Sequence, residues 1–336
     1  LQNRAMQNHR NRPAITGYLL VLLAAWLGLT SCSGTPTSPL SKQIDIDYGL
    51  IATTPVQPIL YGERVKPILE RRCVVCHGCV DAPCQLKLSS YEGITRGASK
   101  DRVYNGERLT GAAPSRLFID ATTTAEWRSK GFHPVLAEDA TDQEEMLRQS
   151  VLYQMLRLKQ LNPQARTGKL TDDQDIGLDR EQVCTTREDF DSFADKHPSW
   201  GMPYAMPNLS DREYRTLVQW LAQGAPEPPP AQSSDAVAAR IAEWEIFFND
   251  PTKKQQLVSR YIYEHLFQAH LHFKGSDTRE FYRLVRSSTP PGQDIREIAT
   301  TRPFDDPGKA AFYYRLRRYD ASIVTKSHMV YELSPQ

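Results

Sequence analysis

Apolar residues recur with helical spacing just before the first cysteine pair of the chain. Ile68 and Leu69 lie three and four residues after Val65, and Cys73, four residues after Leu69, continues the same face. This spacing places side chains on one side of a helix, so the pattern predicts a helix that leads into Cys73. Pro67 lies within the stretch and predicts a bend, because proline removes a backbone donor.

A second helix is predicted in the middle of the chain. Ser210 and Glu213 match the Ser-x-x-Glu capping box, in which both side chains accept backbone N–H groups of the first turn. The apolar face that follows consists of Tyr214, Leu217, Val218 and Leu221. Gly224 suits the helix end. The Pro-rich segment 225–230 must then leave the helix and act as a stiff linker, so we place a domain boundary after residue 226.

The chain beyond this linker has two further helical patterns. The first is marked by Ile241, Trp244, Phe247 and Phe248. The second begins with Asp250 as its cap and Pro251 in its first turn, where proline is tolerated. Residues after Thr289 are rich in Pro and Gly, and 321–330 could be strand or loop. We therefore predict that residues 227–336 form a helix-rich second domain.

The N-terminal segment has the order of residues found in a secretory signal. Two arginines precede an apolar run, 18–29, whose length of about 12 residues is too short for a comfortable membrane span. The run ends in Leu-Thr-Ser-Cys, which also matches a bacterial lipobox, so ordinary cleavage and lipidation of Cys32 both stay open. We expect residues 1–32 to be the signal peptide of a periplasmic protein, and residues 33–57, rich in Ser, Thr and Pro, to be a flexible tether.

Composition adds limits to this picture. The chain has 336 residues, of which 40% are hydrophobic, enough for two ordinary packed domains. Its formal net charge is +1, so no basic excess predicts binding to nucleic acid. Arg315, Arg317 and Arg318 form a short basic cluster that we interpret as a solvated face.

The strongest chemical signal is Cys73-Val74-Val75-Cys76-His77, which is the C-x-x-C-H motif of covalent haem attachment. Two thiols on one turn can reach both vinyl groups of one porphyrin, and the adjacent imidazole then faces the iron. We predict one haem c, held by Cys73 and Cys76, with His77 as an axial iron ligand. A redox dithiol would not need the histidine, and no Cys-x-x-Cys pair separate from this motif supplies zinc ligands.

Methionine is a common second ligand when a haem transfers electrons. Met202 and Met206 lie in the segment Met-Pro-Tyr-Ala-Met-Pro before the helix predicted in the middle of the chain. Small c-type cytochromes often place a Met-Pro pair several residues before their last haem-packing helix, which favours Met202, with Met206 as the alternative and His197 as a weaker candidate. The 124 residues between His77 and Met202 exceed what a minimal cytochrome needs. The haem domain, predicted over 58–226, must therefore hold an insertion.

Three cysteines and a histidine cluster remain. Cys79 and Cys84 are close in sequence and, in an oxidising compartment, favour a disulfide with each other, with a redox-active pair as the alternative. Cys184 is left over and is interpreted as a non-catalytic cysteine. His270 and His272 would share a face only on an extended strand, and since their neighbours look helical, a metal site there has weak support.

At the cysteine motif the sequence resembles a known family. Residues 73–88 are similar to the haem segment of bacterial fatty acid cis/trans isomerases. The similarity recurs at 96–100, 200–204, 260–267, 286–292 and 325–329. The resemblance implies a periplasmic, haem-containing enzyme that converts cis double bonds of membrane phospholipids to trans without ATP or a diffusible cofactor. Members generally continue further, so we expect this chain to be the N-terminal portion. The resemblance also favours Met202, because we expect the family to have an apolar residue such as Leu in place of Met206.

These observations predict a mainly α fold, in which a cytochrome c-like haem domain with a long insertion is followed by a second helix-rich domain. The predicted function is cis-to-trans isomerisation of unsaturated acyl chains in membrane phospholipids, with haem c as the transient electron acceptor. We expect these acyl chains as partners, with peripheral or lipid-anchored contact to a membrane. The alternative is a periplasmic c-type cytochrome that carries electrons and has an accessory domain. A haem peroxidase is a third, weaker option.

Overall fold

The computed structural model of the protein describes residues 44–334, apart from 80, 105–110, 113–114, 118, 178, 230–231, 277–279, 309–310 and 326–327. The predicted signal peptide, with Cys32, lies outside the described residues. We refer to residues 44–225 as the N-terminal part and to residues 232–334 as the C-terminal part, because each has its own cluster of buried apolar side chains.

The N-terminal part consists of short helices. In chain order they are α1 (Tyr48–Ile51), α2 (Lys66–Arg72), α3 (Val74–His77), α4 (Tyr91–Arg96), α5 (Thr124–Ser129), α6 (Gln143–Gln149), α7 (Val151–Leu161), α8 (Phe190–Lys196) and α9 (Asp211–Ala222). A π-helical turn, Tyr61–Val65, leads into α2, and Pro67 lies in the first turn of that helix, where a proline can be accommodated. The predicted helix before the cysteines is thus confirmed, with Ile68 and Leu69 in the core.

Helix α9 lies at the centre of the N-terminal core. The predicted capping box is confirmed, since Ser210 Oγ accepts the N–H of Glu213 at 3.3 Å and Glu213 Oε2 accepts the N–H of Ser210 at 3.0 Å. Val218 and Trp220 are completely buried. The helix ends before Gly224, whose φ of +80° is readily adopted only by glycine. The sequence pattern therefore located both ends of this helix correctly.

Residues 44–54 pack onto this core. Ile46 is buried, and the N–H of Asp47 donates to the hydroxyl of Tyr153 at 2.9 Å. Gln219 of α9 donates to the carbonyl oxygen of Thr53 at 2.8 Å. The structured part of the chain therefore includes residues that lie within the segment we expected to act as a tether.

An ion pair joins α2 to the start of α9. Arg72 Nη2 lies 2.9 Å from Glu213 Oε2, and the side chain of Glu213 is only 13% exposed. The hydrogen bond from Arg72 is the main cause that lowers the pKa of Glu213 to about 2. Because α2 leads directly into the two cysteines, this pair fixes the approach of the motif to the core.

The C-terminal part combines two helices with a sheet. Its elements are α10 (Asp235–Phe248), α11 (Lys253–Leu266), β1 (His270–Phe273), β2 (Tyr282–Ser287), β3 (Tyr313–Arg318) and β4 (Val330–Leu333). The strand order is β3-β2-β1-β4, in which β1 pairs antiparallel with β2 and parallel with β4, and β2 pairs antiparallel with β3. Leu271 is paired with Tyr282, and Val285 with Arg315.

A buried ion pair attaches α10 to the sheet. Arg315 Nε lies 2.9 Å from Glu245 Oε2, and the N–H of Leu316 donates to Glu245 Oε1 at 2.9 Å. Arg315 also donates to backbone carbonyl oxygens at 290 and 293. The interpretation of the whole basic cluster as a solvated face is therefore wrong for Arg315, whose guanidinium is buried and paired.

The prediction of a mainly α fold is wrong for the C-terminal part, which contains a mixed four-stranded sheet. The strands are short and carry buried polar residues, such as His270, Arg286 and Ser287, so they lack the alternation of apolar and polar residues that marks a strand in sequence. The expectation of helical surroundings for His270 is wrong for the same reason. Helix α11 begins at Lys253, two residues after Pro251, and Asp250 accepts the N–H of Thr252 at 2.8 Å.

None of the helices in the described residues combines the length and the hydrophobicity that a membrane span requires.

We predict that Glu213→Gln will lower the free energy of unfolding at pH 7 by about 2 kcal/mol, because glutamine keeps the capping box but loses the charged hydrogen bond to Arg72. The depressed pKa of Glu213 means that this stabilisation is complete above the ordinary value of 4.5 and is lost as the pH falls through about 2. Urea unfolding of the wild type and the variant should therefore converge at low pH. Glu243→Gln on the exposed side of α10 is the control, and an equal loss there would contradict the account.

Candidate haem-binding site

The two cysteines of the motif lie at a break between helices. The N–H of Cys73 donates to the carbonyl oxygen of Leu69 at 2.8 Å and so extends α2, while the carbonyl oxygen of Cys73 accepts the N–H of His77 at 2.9 Å and begins α3. Cys73, Cys76 and His77 therefore share one turn. Cys73 is half-buried against the core and Cys76 is exposed, and neither forms a disulfide with another described residue.

The environment of Cys73 argues against a redox dithiol. Burial raises the pKa of its thiol to about 12, and the neighbouring charge on Cys76 contributes further. A reactive dithiol needs a thiolate at neutral pH, which requires a lowered pKa. Cys73 instead remains a neutral thiol, which does not favour a redox-active dithiol.

His77 is buried and has a defined tautomer. Its Nδ1 lies 3.0 Å from the carbonyl oxygen of Leu86, which can only accept, so Nδ1 carries the proton and Nε2 keeps its lone pair. Burial lowers the pKa of His77, the hydrogen bond to Leu86 opposes this shift, and the positive charge of Arg180 adds to it. The ring is therefore neutral at pH 7, which is the form that binds a metal.

The loop after the motif folds back to supply this carbonyl. A 3₁₀ turn, Pro83–Gln85, reverses the chain, and the N–H of Leu88 then donates to the carbonyl oxygen of His77 at 2.8 Å. His77 is thus held through both its ring and its backbone by the segment 86–88.

The methionine segment is fixed against α7. The N–H of Met202 donates to the carbonyl oxygen of Met155 at 3.0 Å. Gly201 lies so close to α7 that a Cβ atom there would be 2.2 Å from the backbone nitrogen of Lys159. Met202 and Met206 are both half-buried. This arrangement does not distinguish between them, so the choice of Met202 over Met206 stays a prediction.

Arg180 links the two halves of the candidate site. Its charge lowers the pKa of His77 and also opposes the rise in the pKa of Tyr204, a residue between the two methionines. The hydroxyl of Tyr204 donates to the carbonyl oxygen of Asp175 at 3.1 Å, in the same loop as Arg180. The charge of Arg180 therefore acts both on His77 and on Tyr204 of the methionine segment.

These features fit a haem c. The chain offers two thiols on one turn, a buried neutral imidazole whose Nε2 could bind a metal, and a methionine segment that is influenced by the same arginine charge as the histidine. By contrast, among the residues that the structure describes, three or more His, Cys, Asp or Glu side chains nowhere come together in a way that could hold a metal ion. That includes the surroundings of His270 and His272, where His270 Nδ1 lies 2.7 Å from His328 Nδ1.

Comparison with known proteins identifies the family. The family described as "Fatty acid cis/trans isomerase (CTI)" matches residues 112–336, about two-thirds of the chain. The chain belongs to the fatty acid cis/trans isomerase family. It is therefore an enzyme that acts on unsaturated fatty acyl chains of lipids. No curated protein and no solved structure matches the chain.

The family match includes the methionine segment of the isomerase and its whole C-terminal part, but it begins after the cysteine motif at 73–77. The assignment to the family therefore does not depend on the haem motif, and the haem motif is not itself tested by the match.

The disulfide of the isomerase differs from the sequence prediction. Cys84 is bonded to Cys184, with 5.4 Å between their Cα atoms, and Cys79 forms no disulfide with another described residue. The predicted pair of Cys79 and Cys84 is therefore wrong. The loop that carries Cys184 packs beside the 3₁₀ turn, and this long-range contact between segments about 100 residues apart leaves no local trace in the sequence.

Sequence reasoning also missed the contact between the C-terminal part and the motif. In the segment 320–324, between β3 and β4, the N–H of Ser322 donates to the carbonyl oxygen of Ser89 at 2.6 Å. The hydroxyl of Ser322 donates to the carboxylate of Glu70 at 2.8 Å. A Cβ atom at Gly78, the residue after His77, would be 2.9 Å from Val324 Cγ2. The glycine after the motif was the one available signal that another segment comes close there.

We predict that Cys84→Ser and Cys184→Ser will each destabilise the isomerase by the same amount, up to about 5 kcal/mol, because the bridge closes a loop with a sequence separation of 100. Thermal unfolding without reductant measures the loss. Non-reducing peptide mapping should join Cys84 to Cys184. Cys79→Ser is the control and should leave stability unchanged; a loss equal to that of Cys84→Ser would restore the pairing of Cys79 with Cys84.

Proposed function

We propose that this enzyme converts cis double bonds in the acyl chains of membrane phospholipids to trans, and that it does so with a haem c attached to Cys73 and Cys76. The observation that carries the proposal is the geometry of His77. Its imidazole is buried and neutral, and a backbone carbonyl orients the ring. The same turn carries two thiols that have no disulfide partners among the described residues. An iron ligand requires an arrangement of this kind. The family assignment supports the choice of an acyl chain as substrate.

The residues of the chain have separate roles in this proposal. Cys73 and Cys76 would hold the porphyrin through thioether bonds, and His77 Nε2 would bind the iron. The carbonyl of Leu86 keeps the ring in its neutral tautomer and increases its basicity. The positive charge of Arg180, which lowers the pKa of His77, would also favour the reduced form of a haem bound there.

The reaction requires a temporary loss of π-bond order. A cis double bond does not rotate at ambient temperature, because rotation would break the π bond. When bound, the haem supplies an electron acceptor, and withdrawal of one electron from the alkene, followed by its return, allows rotation without net oxidation. The trans chain is straighter and packs more densely, so the membrane becomes less fluid.

The electron-carrier alternative is supported only by the haem motif. A plain cytochrome does not account for a family match over 112–336, which lies entirely outside the motif and includes the whole C-terminal part. The match therefore favours isomerisation over electron transfer as the activity.

The proposal includes export to the periplasm, with peripheral or lipid-anchored contact to a membrane. Its support is the sequence alone, in which an arginine-containing segment and the apolar run 18–29 precede the lipobox-like Leu-Thr-Ser-Cys that ends at Cys32. Covalent attachment of haem to C-x-x-C-H motifs outside the cytoplasm agrees with this location.

We predict that the double variant Cys73→Ala/Cys76→Ala will lose covalently bound haem and will form no trans acyl chains in cells that depend on this protein for isomerisation. Haem staining of denatured protein and gas chromatography of membrane fatty acids measure the two effects. Cys79→Ala is the matched control, since Cys79 lies beside the motif but outside it, and it should retain both. Unchanged trans-acyl content in the double variant would remove the haem from the mechanism.

We predict that Met202→Ala will abolish the methionine-to-iron charge-transfer band of the oxidised protein and will lower its midpoint potential, because thioether ligation raises the potential of a histidine-ligated haem. Met206→Ala should change neither. The reverse result would assign ligation to Met206, and an unchanged band in both variants would show that neither methionine binds the iron.

A further inference from the structure

Arg286 of β2 carries a buried positive charge that no carboxylate of the described residues neutralises through a hydrogen bond. Arg286 is 5% exposed. Its guanidinium donates to the backbone carbonyl of Asp305 at 3.0 Å and to the hydroxyl of Thr300 at 2.8 Å. The Nε atom has no hydrogen-bond partner among the described residues. The guanidinium also lies over the rings of Tyr263, at 5.0 Å, and Phe312, at 5.6 Å.

Arg315, on the neighbouring strand, shows what a purely structural arginine looks like in this fold. It is equally buried, but its Nε lies 2.9 Å from the carboxylate of Glu245. A buried charge is costly unless it is paired. The same sheet therefore compensates one buried arginine with an internal carboxylate, whereas among the described residues no carboxylate forms a hydrogen bond with the other.

A cavity of about 230 Å³ lies next to Arg286. The side chains that form its cationic and aromatic wall are those of Arg286, Arg260, Tyr263, Tyr314, Phe312 and Phe304. At roughly 30 Å³ per water molecule, this volume holds a group of about eight water-sized units. It is large enough for a phosphate with its ester substituents and too small for a complete acyl chain.

Three carboxylates also line the cavity, and each has another partner. Glu264 accepts from Arg260 Nε at 2.7 Å. Asp305 accepts the N–H of Arg302 at 2.8 Å, and Asp306 accepts the N–H of Gly308 at 2.8 Å. Two guanidinium groups and three carboxylates therefore line the cavity. Arg260 and Glu264 pair with each other, and none of the three carboxylates forms a hydrogen bond with the guanidinium of Arg286.

The rim and walls of the cavity suit an amphiphilic ligand. Phe304 is 59% exposed, so it offers an apolar surface at the entrance. Burial raises the pKa of Tyr314 to about 12, and burial also raises that of Tyr263, so both phenols stay protonated at neutral pH and can donate hydrogen bonds to an anion. An anionic group can enter the cavity while apolar chains attached to it stay outside against Phe304.

We propose that this cavity binds a phosphate group, as it occurs in the headgroup of a phospholipid, with Arg286 as the principal binding residue and Arg260 at its side. The inference rests on the proposed function in one respect, since a membrane phospholipid is the substrate proposed for this enzyme. It assigns to the C-terminal part the task of holding the headgroup.

The test measures binding of dihexanoylphosphatidylglycerol, a soluble phospholipid with saturated chains, to the full chain by isothermal titration calorimetry. Phe304→Glu places a negative charge at the rim and should weaken binding about tenfold or more. Leu257→Glu is the matched control, because Leu257 is 70% exposed and lies on α11 outside the cavity. Arg286→Gln should weaken binding about 100-fold. If Arg286→Gln fails to fold, the comparison of Phe304→Glu with Leu257→Glu still tests the proposal.

Two further ligands separate the sources of the anion. Binding of inorganic phosphate with the same dependence on Phe304→Glu would support a site that recognises phosphate itself, and binding of the phospholipid alone would support a site for the esterified headgroup. Binding of hexanoate but of neither phosphate ligand, or equal effects of Phe304→Glu and Leu257→Glu, would overturn the proposal. The assay contains no double bond, and it measures binding and not isomerisation. A failure here is thereby distinguished from a failure of the proposed isomerisation mechanism.

Discussion

The hydrogen bond between His77 Nδ1 and the carbonyl oxygen of Leu86 determines which ring nitrogen can bind a metal. Without it, a buried histidine could adopt either tautomer, and its metal-binding lone pair could lie on either side of the ring. With it, Nε2 is the free atom, and burial keeps the ring neutral. The chemistry proposed for this enzyme depends on that orientation, because Nε2 is the atom that would bind the iron of a haem held by the two thiols on the same turn.

The rest of the fold keeps this turn in place. The pair of Arg72 and Glu213 holds the helix before the motif against α9. The disulfide of Cys84 ties the loop after the motif to a distant segment, and Ser322 attaches the C-terminal part to Ser89 and Glu70. The turn is thus fixed from three directions by contacts between segments far apart in the sequence. In this arrangement the cysteine motif and the region that matches the family, 112–336, belong to one folded unit.

Local patterns predicted the elements whose stabilisation is local. The capping box at Ser210 and the apolar face that follows it specify α9, and the spacing of Ile68 and Leu69 specifies α2, because these signals lie within a few residues of one another. The sheet was missed since β1 pairs in parallel with β4, some 60 residues later, and since Arg286 and other polar residues are buried in its strands. The cysteine pairing was wrong because Cys184 reaches Cys84 through tertiary packing, whereas the sequence offered Cys79 as a nearer partner.

The most direct measurement is mass spectrometry of the tryptic peptide 73–87 from the exported full chain, which contains four cysteines. After reduction and treatment with a thiol-alkylating reagent, the account predicts that the peptide carries the mass of one haem, and that only Cys79 and Cys84 are alkylated. Alkylation of Cys73 and Cys76, with no haem adduct on the peptide, would contradict the account.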